Sequence, residues 1–350
     1  GSRTAVLGNG GQDTVTVGDA GDSLSEIASE SLLVDGGAGN DSLELVNVGS
    51  AYPNHTYDYT DASSGSVILN DGTKALTVTY TDLEALSNDG TPGDVLFNLP
   101  GTADDTVTLS DLGVGQARLA GASFQDTDFV APAAGGSLTI NLGADDQTLA
   151  VNSLTLNANT DLTINGDGGS DTVSLNADAG LSVTGDLSLT AETINQTGAV
   201  TVGGATSLTV GATGTAALIN TSNDFQGAVS ASGGELEITD ANALQLDLVN
   251  AATLDVVAGD DITVNAAVVA GDTAALRAGS DGSGSVSVTS AGSLTTTNAD
   301  SDISLQAGTA SGSISLAGSV TAVDRLTLVS IGGVSQTAAA ILAANLQLTG

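Results

Sequence analysis

The sequence predicts an all-β fold, a parallel β-helix (β-solenoid) of about 20 residues and three short strands per coil. Three observations point there. Triplets of aliphatic, polar and aliphatic residues recur, as in Leu138-Thr139-Ile140, Leu162-Thr163-Ile164, Leu187-Ser188-Leu189, Ile262-Thr263-Val264 and Leu326-Thr327-Leu328. Such alternation puts two apolar side chains on one face of a strand and a polar one on the other. Gly, Asn or Asp separates the triplets, as tight turns require. The spacing also repeats. Leu187, Ile194, Val200 and Leu208 mark successive strands at nearly even intervals, and Leu326 and Leu346 stand one such coil apart. The phrase Ile194-Asn195-Gln196-Thr197-Gly198-Ala199 returns as Val334-Ser335-Gln336-Thr337-Ala338-Ala339, a separation that reads as a whole number of coils. Tandem β-sandwiches would also give short strands and turns, but not that echo.

Composition fits a narrow interior. The 350 residues include no Cys, Met or Trp, and aromatics make up 2%. Yet 41% is hydrophobic, drawn mainly from Ala, Val, Leu and Ile, so the chain is not a disordered acidic tail. The net charge of −36 repels nucleic acid and anionic lipid and makes cations the natural partners. Without Cys there is neither a disulfide framework nor a thiolate metal site. No apolar run reaches membrane-spanning length, and no signal peptide is evident. The opening Gly1-Ser2 and the strand-like close at Leu346 to Gly350 suggest a segment of something longer.

Taken in order, the first elements are Gly-rich, Asp-bearing turns that each lead into a strand. Copies run Gly8 to Val17, Asp35 to Leu45, Gly101 to Leu109 and Gly166 to Leu175. Only Ser23 to Leu33 has the look of a short helical turn. The stretch Ala51 to Gly90 reads as longer strands with a hairpin at Asn70-Asp71-Gly72. All four Pro, all four Tyr and three of the four Phe precede Gly135. The expected organisation is therefore one solenoid with an irregular half, residues 1–134, carrying an elaborated hairpin region at about 51–90, and a regular half, residues 135–350.

Several groups are candidates for chemistry. Gly36 to Glu44 fits the nonapeptide Gly-Gly-x-Gly-x-Asp-x-aliphatic-x that binds calcium in RTX β-rolls. Carboxylate and carbonyl oxygens in a Gly-opened turn suit Ca2+. The copies centred on Asp13, Asp41, Asp105 and Asp171 are separated by wide, uneven gaps, a spacing that argues against tandem β-roll turns. What remains is isolated Ca2+ at Asp13, Asp35, Asp41 or Asp171, or an Asp that caps a corner by accepting backbone N–H bonds. The pairs Asp104/Asp105, Asp145/Asp146 and Asp260/Asp261 invite comparison with glycosidase carboxylates. Sugar platforms of Trp are absent and bases are scarce, so no enzymatic activity and no catalytic residue is expected. His55 is the only histidine and supports neither a zinc site nor a triad. It is expected at the surface, where Tyr52, His55, Tyr57 and Tyr59 would form a contact patch for a partner. Thr77-Val78-Thr79 and Thr106-Val107-Thr108 lack the regular succession that an ice-binding face needs.

The regular half resembles the repeats of very large bacterial surface proteins, namely filamentous-haemagglutinin-like adhesins and giant planctomycete-type repeat proteins. Asn223-Asp224-Phe225-Gln226-Gly227-Ala228-Val229, Leu244-Gln245-Leu246, Gly259-Asp260-Asp261-Ile262-Thr263-Val264 and the two Gln-Thr phrases carry the resemblance. In the first half, Gly36 to Asp41 and Tyr80-Thr81-Asp82-Leu83-Glu84-Ala85-Leu86 are similar to modules that accompany such repeats. The resemblance implies a right-handed helix, an extracellular or cell-surface location and a structural or adhesive rod. Partners would be other surface components, neighbouring repeats or glycans, with no nucleic acid and no membrane insertion. A calcium-dependent surface-layer component and a polysaccharide-active β-helix enzyme are the alternatives.

Overall fold

The computed structural model describes residues 4–18, 24, 31–46, 52–101, 105–176, 180–337 and 340–350. Among these residues there is no α-helix; strands follow one another from end to end. The fold is a β-solenoid in which most strands pair in parallel with strands one coil away. The helical turn expected from Ser23 is replaced at its far end by the strand Ser31–Gly39, and residues 25–30 lie outside the described residues. The chain divides into two compact units, Gly1–Gly185 and Asp186–Gly350.

In the first unit the strands fall into two ladders. One stacks Thr4–Gly11, Ser31–Gly39 and Ala75–Thr81 in parallel. It continues through the antiparallel strand Ser64–Asn70 to Asn54–Asp61, and then in parallel to Asp94–Asn98, Ser137–Asn141 and Asp161–Asn165. The other stacks Thr14–Val17, Ser42–Leu45, Ala85–Asn88 and Asp126–Val130. It passes through the antiparallel strand Gln116–Ala120 to Asp105–Gly113, Gln147–Val151 and Thr172–Leu175. Along the chain, strands or meanders alternate between the two ladders. The chain between stacked residues varies widely in length: it is short from Thr148 to Thr172, longer from Thr14 to Ser42, and longer still from Ser42 to Ala85 and from Ala85 to Asp126. Even the shortest of these intervals exceeds the expected coil of about 20 residues. These last two intervals each contain a hairpin that adds strands to one ladder while keeping every rung hydrogen-bonded.

The hairpin expected at Asn70-Asp71-Gly72 is present. Asn70 Oδ1 accepts the Gly72 N–H (2.6 Å), and Asp71 Oδ1 accepts the Thr73 and Lys74 N–H groups (both 2.7 Å). A second meander, Asp105 to Val130, was not expected. Its turn places Gly113, Val114 and Gly115 at φ of 83°, 52° and 78°, so the two glycines bracketing Val114 were its signal.

The aromatic stretch proves to be interior. Tyr52, His55, Tyr57 and Tyr59 are buried, and Tyr57 stacks on Phe97 at 4.6 Å, its register partner on the next strand. Phe97 meets Phe129 edge-on at 4.9 Å, and Tyr59 meets Phe124 at 4.7 Å. The expected surface contact patch is therefore corrected. Alternation along Asn54–Asp61 turns His55, Tyr57 and Tyr59 inward and leaves Thr56 and Asp58 on the outer side.

In the second unit the stacks run without an antiparallel strand. Ile194 lies in register on Ala216, and the stack continues through Leu236, Leu254, Ala274, Ile303 and Leu326 to Leu346, seven steps in all. The expected pairing of Leu326 with Leu346 is met. Leu189 lies on Leu208, with Thr193–Gln196 and Val200–Val202 between them in the chain. A further stack joins Leu244, Ile262, Val286, Ile314 and Val334. Val334 thus belongs to a different stack from Ile194, so the echo between their two phrases does not count coils. Its last two residues, Ala338 and Ala339, lie outside the described residues. The strands Ala228–Asp240, Leu244–Ala258 and Ala267–Arg277 each run through more than one stack, and irregularities at Val229/Ala231 and Ala251/Thr253 bend them round corners.

Candidate functional site

The recurring Gly/Asp phrase builds a corner of the first unit, where one ladder hands over to the other. Leu7 lies on Asp35, Asn9 on Gly37, Gly10 on Ala38 and Gly11 on Gly39. Thr14 lies on Ser42 and Ser42 on Ala85. The residues just before these, Asp13, Asp41 and Glu84, therefore occupy equivalent places on three successive coils. The spacing from Asp13 to Asp41, too wide for a β-roll turn, is the length of one coil here.

Hydrogen bonds link the three from coil to coil. The Asp13 N–H donates to Asp41 Oδ1 at 2.7 Å, and the Asp41 N–H donates to Glu84 Oε2 at 2.6 Å. The later copy repeats the relation, with the Gln147 N–H donating to Asp171 Oδ1 at 2.9 Å. Each carboxylate thus reaches back one coil to satisfy a backbone donor that the turn leaves outside the ladder. Glycine is needed at the start of each turn. A Cβ at Gly8 would stand 3.1 Å from Asp13 Oδ2, one at Gly36 3.0 Å from Asp41 Oδ2, and one at Gly166 2.5 Å from Asp171 Oδ2. Gly36 also passes so close to the next coil that its Cβ would be 2.0 Å from the Asp82 carbonyl oxygen.

The four Asp residues expected to meet calcium are therefore placed as follows. Asp13 and Asp41 stack on one another. Asp171 holds the same place in a later coil. Asp35 lies on the strand before the turn, opposite Leu7 and Thr81. Asp41 and Asp171 are 2% and 1% exposed, whereas Asp13 and Asp35 are half-buried. Asp41 Oδ2 is buried without a hydrogen-bond partner. Among the described residues no three Asp, Glu or His side chains gather as a metal centre does.

One member of each remaining acidic pair caps backbone donors. Asp105 accepts N–H bonds from Thr106 (2.7 Å), Ala122 (3.1 Å) and Ser123 (2.8 Å), closing the second meander; Asp104 lies outside the described residues. Asp146 accepts from the Ser170 N–H and Asp261 from the Ser285 N–H, both at 2.7 Å and both one coil on.

A family of repeats matches part of the chain. The family described as repeats of unknown function (DUF5649) covers residues 168–232. No curated protein and no solved structure matches. The matched stretch begins beside Asp171 and includes Asn223, whose side chain is fully buried. Asn223 Oδ1 accepts from Gln196 Nε2 and the Val200 N–H (both 2.8 Å), and its Nδ2 donates to Gln196 Oε1 (2.9 Å), the Leu218 carbonyl and the Thr239 carbonyl (both 3.1 Å). An amide that satisfies groups on four strands this way fixes a corner, as the carboxylates do in the first unit.

Two further features were missed in the sequence. A shallow groove of about 310 Å³ crosses the outer face of the second ladder, lined by Glu44, Glu84, Asp126, Asp128 and Arg118. Arg118 is held by Asp128 through two bonds, 2.6 and 2.8 Å. Residues far apart in sequence meet here only because Glu44 stacks on Ser87 and Ser87 on Asp128. The second feature is a polar cluster inside the core. Asn88 Nδ2 donates to Tyr57 Oη (3.0 Å) and faces His55 Nδ1 (3.3 Å), while His55 Nε2 is buried without a partner. Burial holds the His55 pKa down to about 4 and pushes the Tyr57 and Tyr80 hydroxyls well up.

Proposed function

We propose that this chain is a structural or adhesive rod segment of a large secreted or cell-surface bacterial repeat protein. The observation that carries the reading is the uninterrupted stack from Ile194 to Leu346, seven register steps with apolar side chains throughout. Such a stack gives every coil the same neighbour above and below, the arrangement of a repeat scaffold. On this reading the coil of the second unit is right-handed and carries three strands per turn. Right-handed crossovers dominate parallel β-structure for steric reasons. The acidic, Ser/Thr-rich exterior keeps neighbouring rods apart or lets cations bridge them.

Surface labelling tests the location. Intact source cells treated with a membrane-impermeant amine reagent, then probed with an antibody to this segment, should yield labelled protein that external protease removes. Protein that is labelled only after lysis would contradict the proposal.

The acidic groove at Glu44, Asp126 and Asp128 is what favours a second reading, a polysaccharide-active enzyme. Release of reducing ends from neutral or uronate polysaccharides, lost in Glu44→Gln, would support it. No release from a broad panel would leave the scaffold reading standing alone.

A further inference from the structure

We propose that the Asp13/Asp41 corner binds a calcium ion that locks the first coils of the chain together. The proposal rests on the corner itself and does not depend on the rod reading. Asp41 is 2% exposed, and one of its oxygens, Oδ2, is buried with no hydrogen-bond partner. The other oxygen is used once, by the Asp13 N–H. Asp13 and Glu84 occupy the equivalent backbone places on the coils to either side. A buried carboxylate oxygen without a donor offers a place for a cation. Among the described residues no cationic side chain supplies it. The ion pairs among the described residues are Arg118–Asp128, Arg277–Asp255 and Arg325–Asp302, and none involves this corner.

The donor chemistry selects the ion. Every group at hand is oxygen: the carboxylates of Asp41 and Asp13, and the carbonyls of Gly36 and Asp82. Those carbonyls approach the glycines that face the two carboxylates, since a Cβ at Gly8 would be 2.0 Å from Gly36 O and one at Gly36 2.0 Å from Asp82 O. Hard oxygen donors with irregular geometry suit Ca2+ better than Mg2+, which demands a near-ideal octahedron, or Zn2+, which prefers nitrogen and sulfur. The carboxylates present do not form a group of three, so carbonyls complete the shell and the affinity belongs in the weak range of extracellular calcium modules, with Kd of about 10⁻⁴ to 10⁻³ M.

At a charge of −36, added salt screens self-repulsion as well as supplying the ion, so the test must separate binding from screening. Melting curves are recorded in CaCl2 and in MgCl2 at equal ionic strength, for the wild type and for Asp41→Asn. Calcium should raise the wild-type midpoint beyond magnesium, and Asp41→Asn should erase that excess. Equal shifts with the two ions, or an excess that survives in Asp41→Asn, would overturn the proposal. Should Asp41→Asn fail to fold, Asp13→Asn, altered at a half-buried position, is used with equilibrium dialysis against radioactive calcium. A several-fold weaker affinity than wild type supports the site, and unchanged binding or none in the wild type at millimolar free calcium refutes it.

Discussion

Single residues at the corners decide whether one coil can sit on the next. Gly36 and Gly10 lie in successive coils of the same phrase but in different surroundings. A Cβ at Gly36 meets the Asp82 carbonyl at 2.0 Å, whereas one at Gly10 meets nothing nearer than 3.6 Å. Gly36→Ala should destabilise the protein by about 1–3 kcal/mol, while Gly10→Ala should cost less than about 1 kcal/mol. Urea denaturation of the two variants checks this, and equal midpoints would show that the close approach at Gly36 is not tight. His55 makes a second prediction at this scale. Its pKa is depressed to about 4 by burial, below the ordinary value of 6.5. The unfolded chain therefore takes up the proton first. This contribution to stability is complete above pH 6.5, is lost as pH falls toward 4, and amounts to about 3 kcal/mol. Denaturation measured at successive pH values should show that loss, and His55→Gln should remove it between pH 6.5 and 4 relative to wild type.

Much of this was legible in the residues and some was not. The Gly/Asp phrase could be read as a corner because Gly and Asp have local reasons to sit in turns. That the copies at Asp13 and Asp41 are neighbours could not be read, because coil length depends on how much chain the far ladder consumes. His55, Tyr57 and Tyr59 carried a period of two that marks one face as interior, but aromatic and polar residues on that face looked like a contact surface. Burial next to Phe97 and Phe129, both far away in sequence, settles the matter.

At the level of elements, the strands are short and gain their stability from stacking. Leu276 lies between Val256 and Leu305, and the stack runs on to Leu328. All four are buried. Leu276→Ala should cost about 2–5 kcal/mol, since a cavity between fixed rungs cannot collapse. Leu348 continues the same stack but is 62% exposed. Leu348→Ala should therefore change stability by less than about 1 kcal/mol. A thermal melt of each variant distinguishes them, and equal losses would mean that the two rungs are equally packed. The period-two pattern made these strands readable one by one. Which strand stacks on which was readable only where coils are regular, as at Leu326 and Leu346. The two meanders of the first unit interrupt that regularity. The antiparallel strands Ser64–Asn70 and Gln116–Ala120 let a coil lengthen without leaving a rung unpaired.

At the scale of the whole molecule each coil is a unit held by its neighbours, with no strand stable alone. In the second unit the register steps range from short, as between Ala228 and Gln245, to long, as between Thr273 and Asp302. A chain pulled from its two ends should then give up coils one after another. Single-molecule force spectroscopy on the full chain is the most direct measurement. The second unit should give a series of rupture events whose contour-length increments correspond to single coils, roughly 60–100 Å at about 3.4 Å per residue. One rupture releasing the whole chain at once, or a featureless extension at low force, would contradict it.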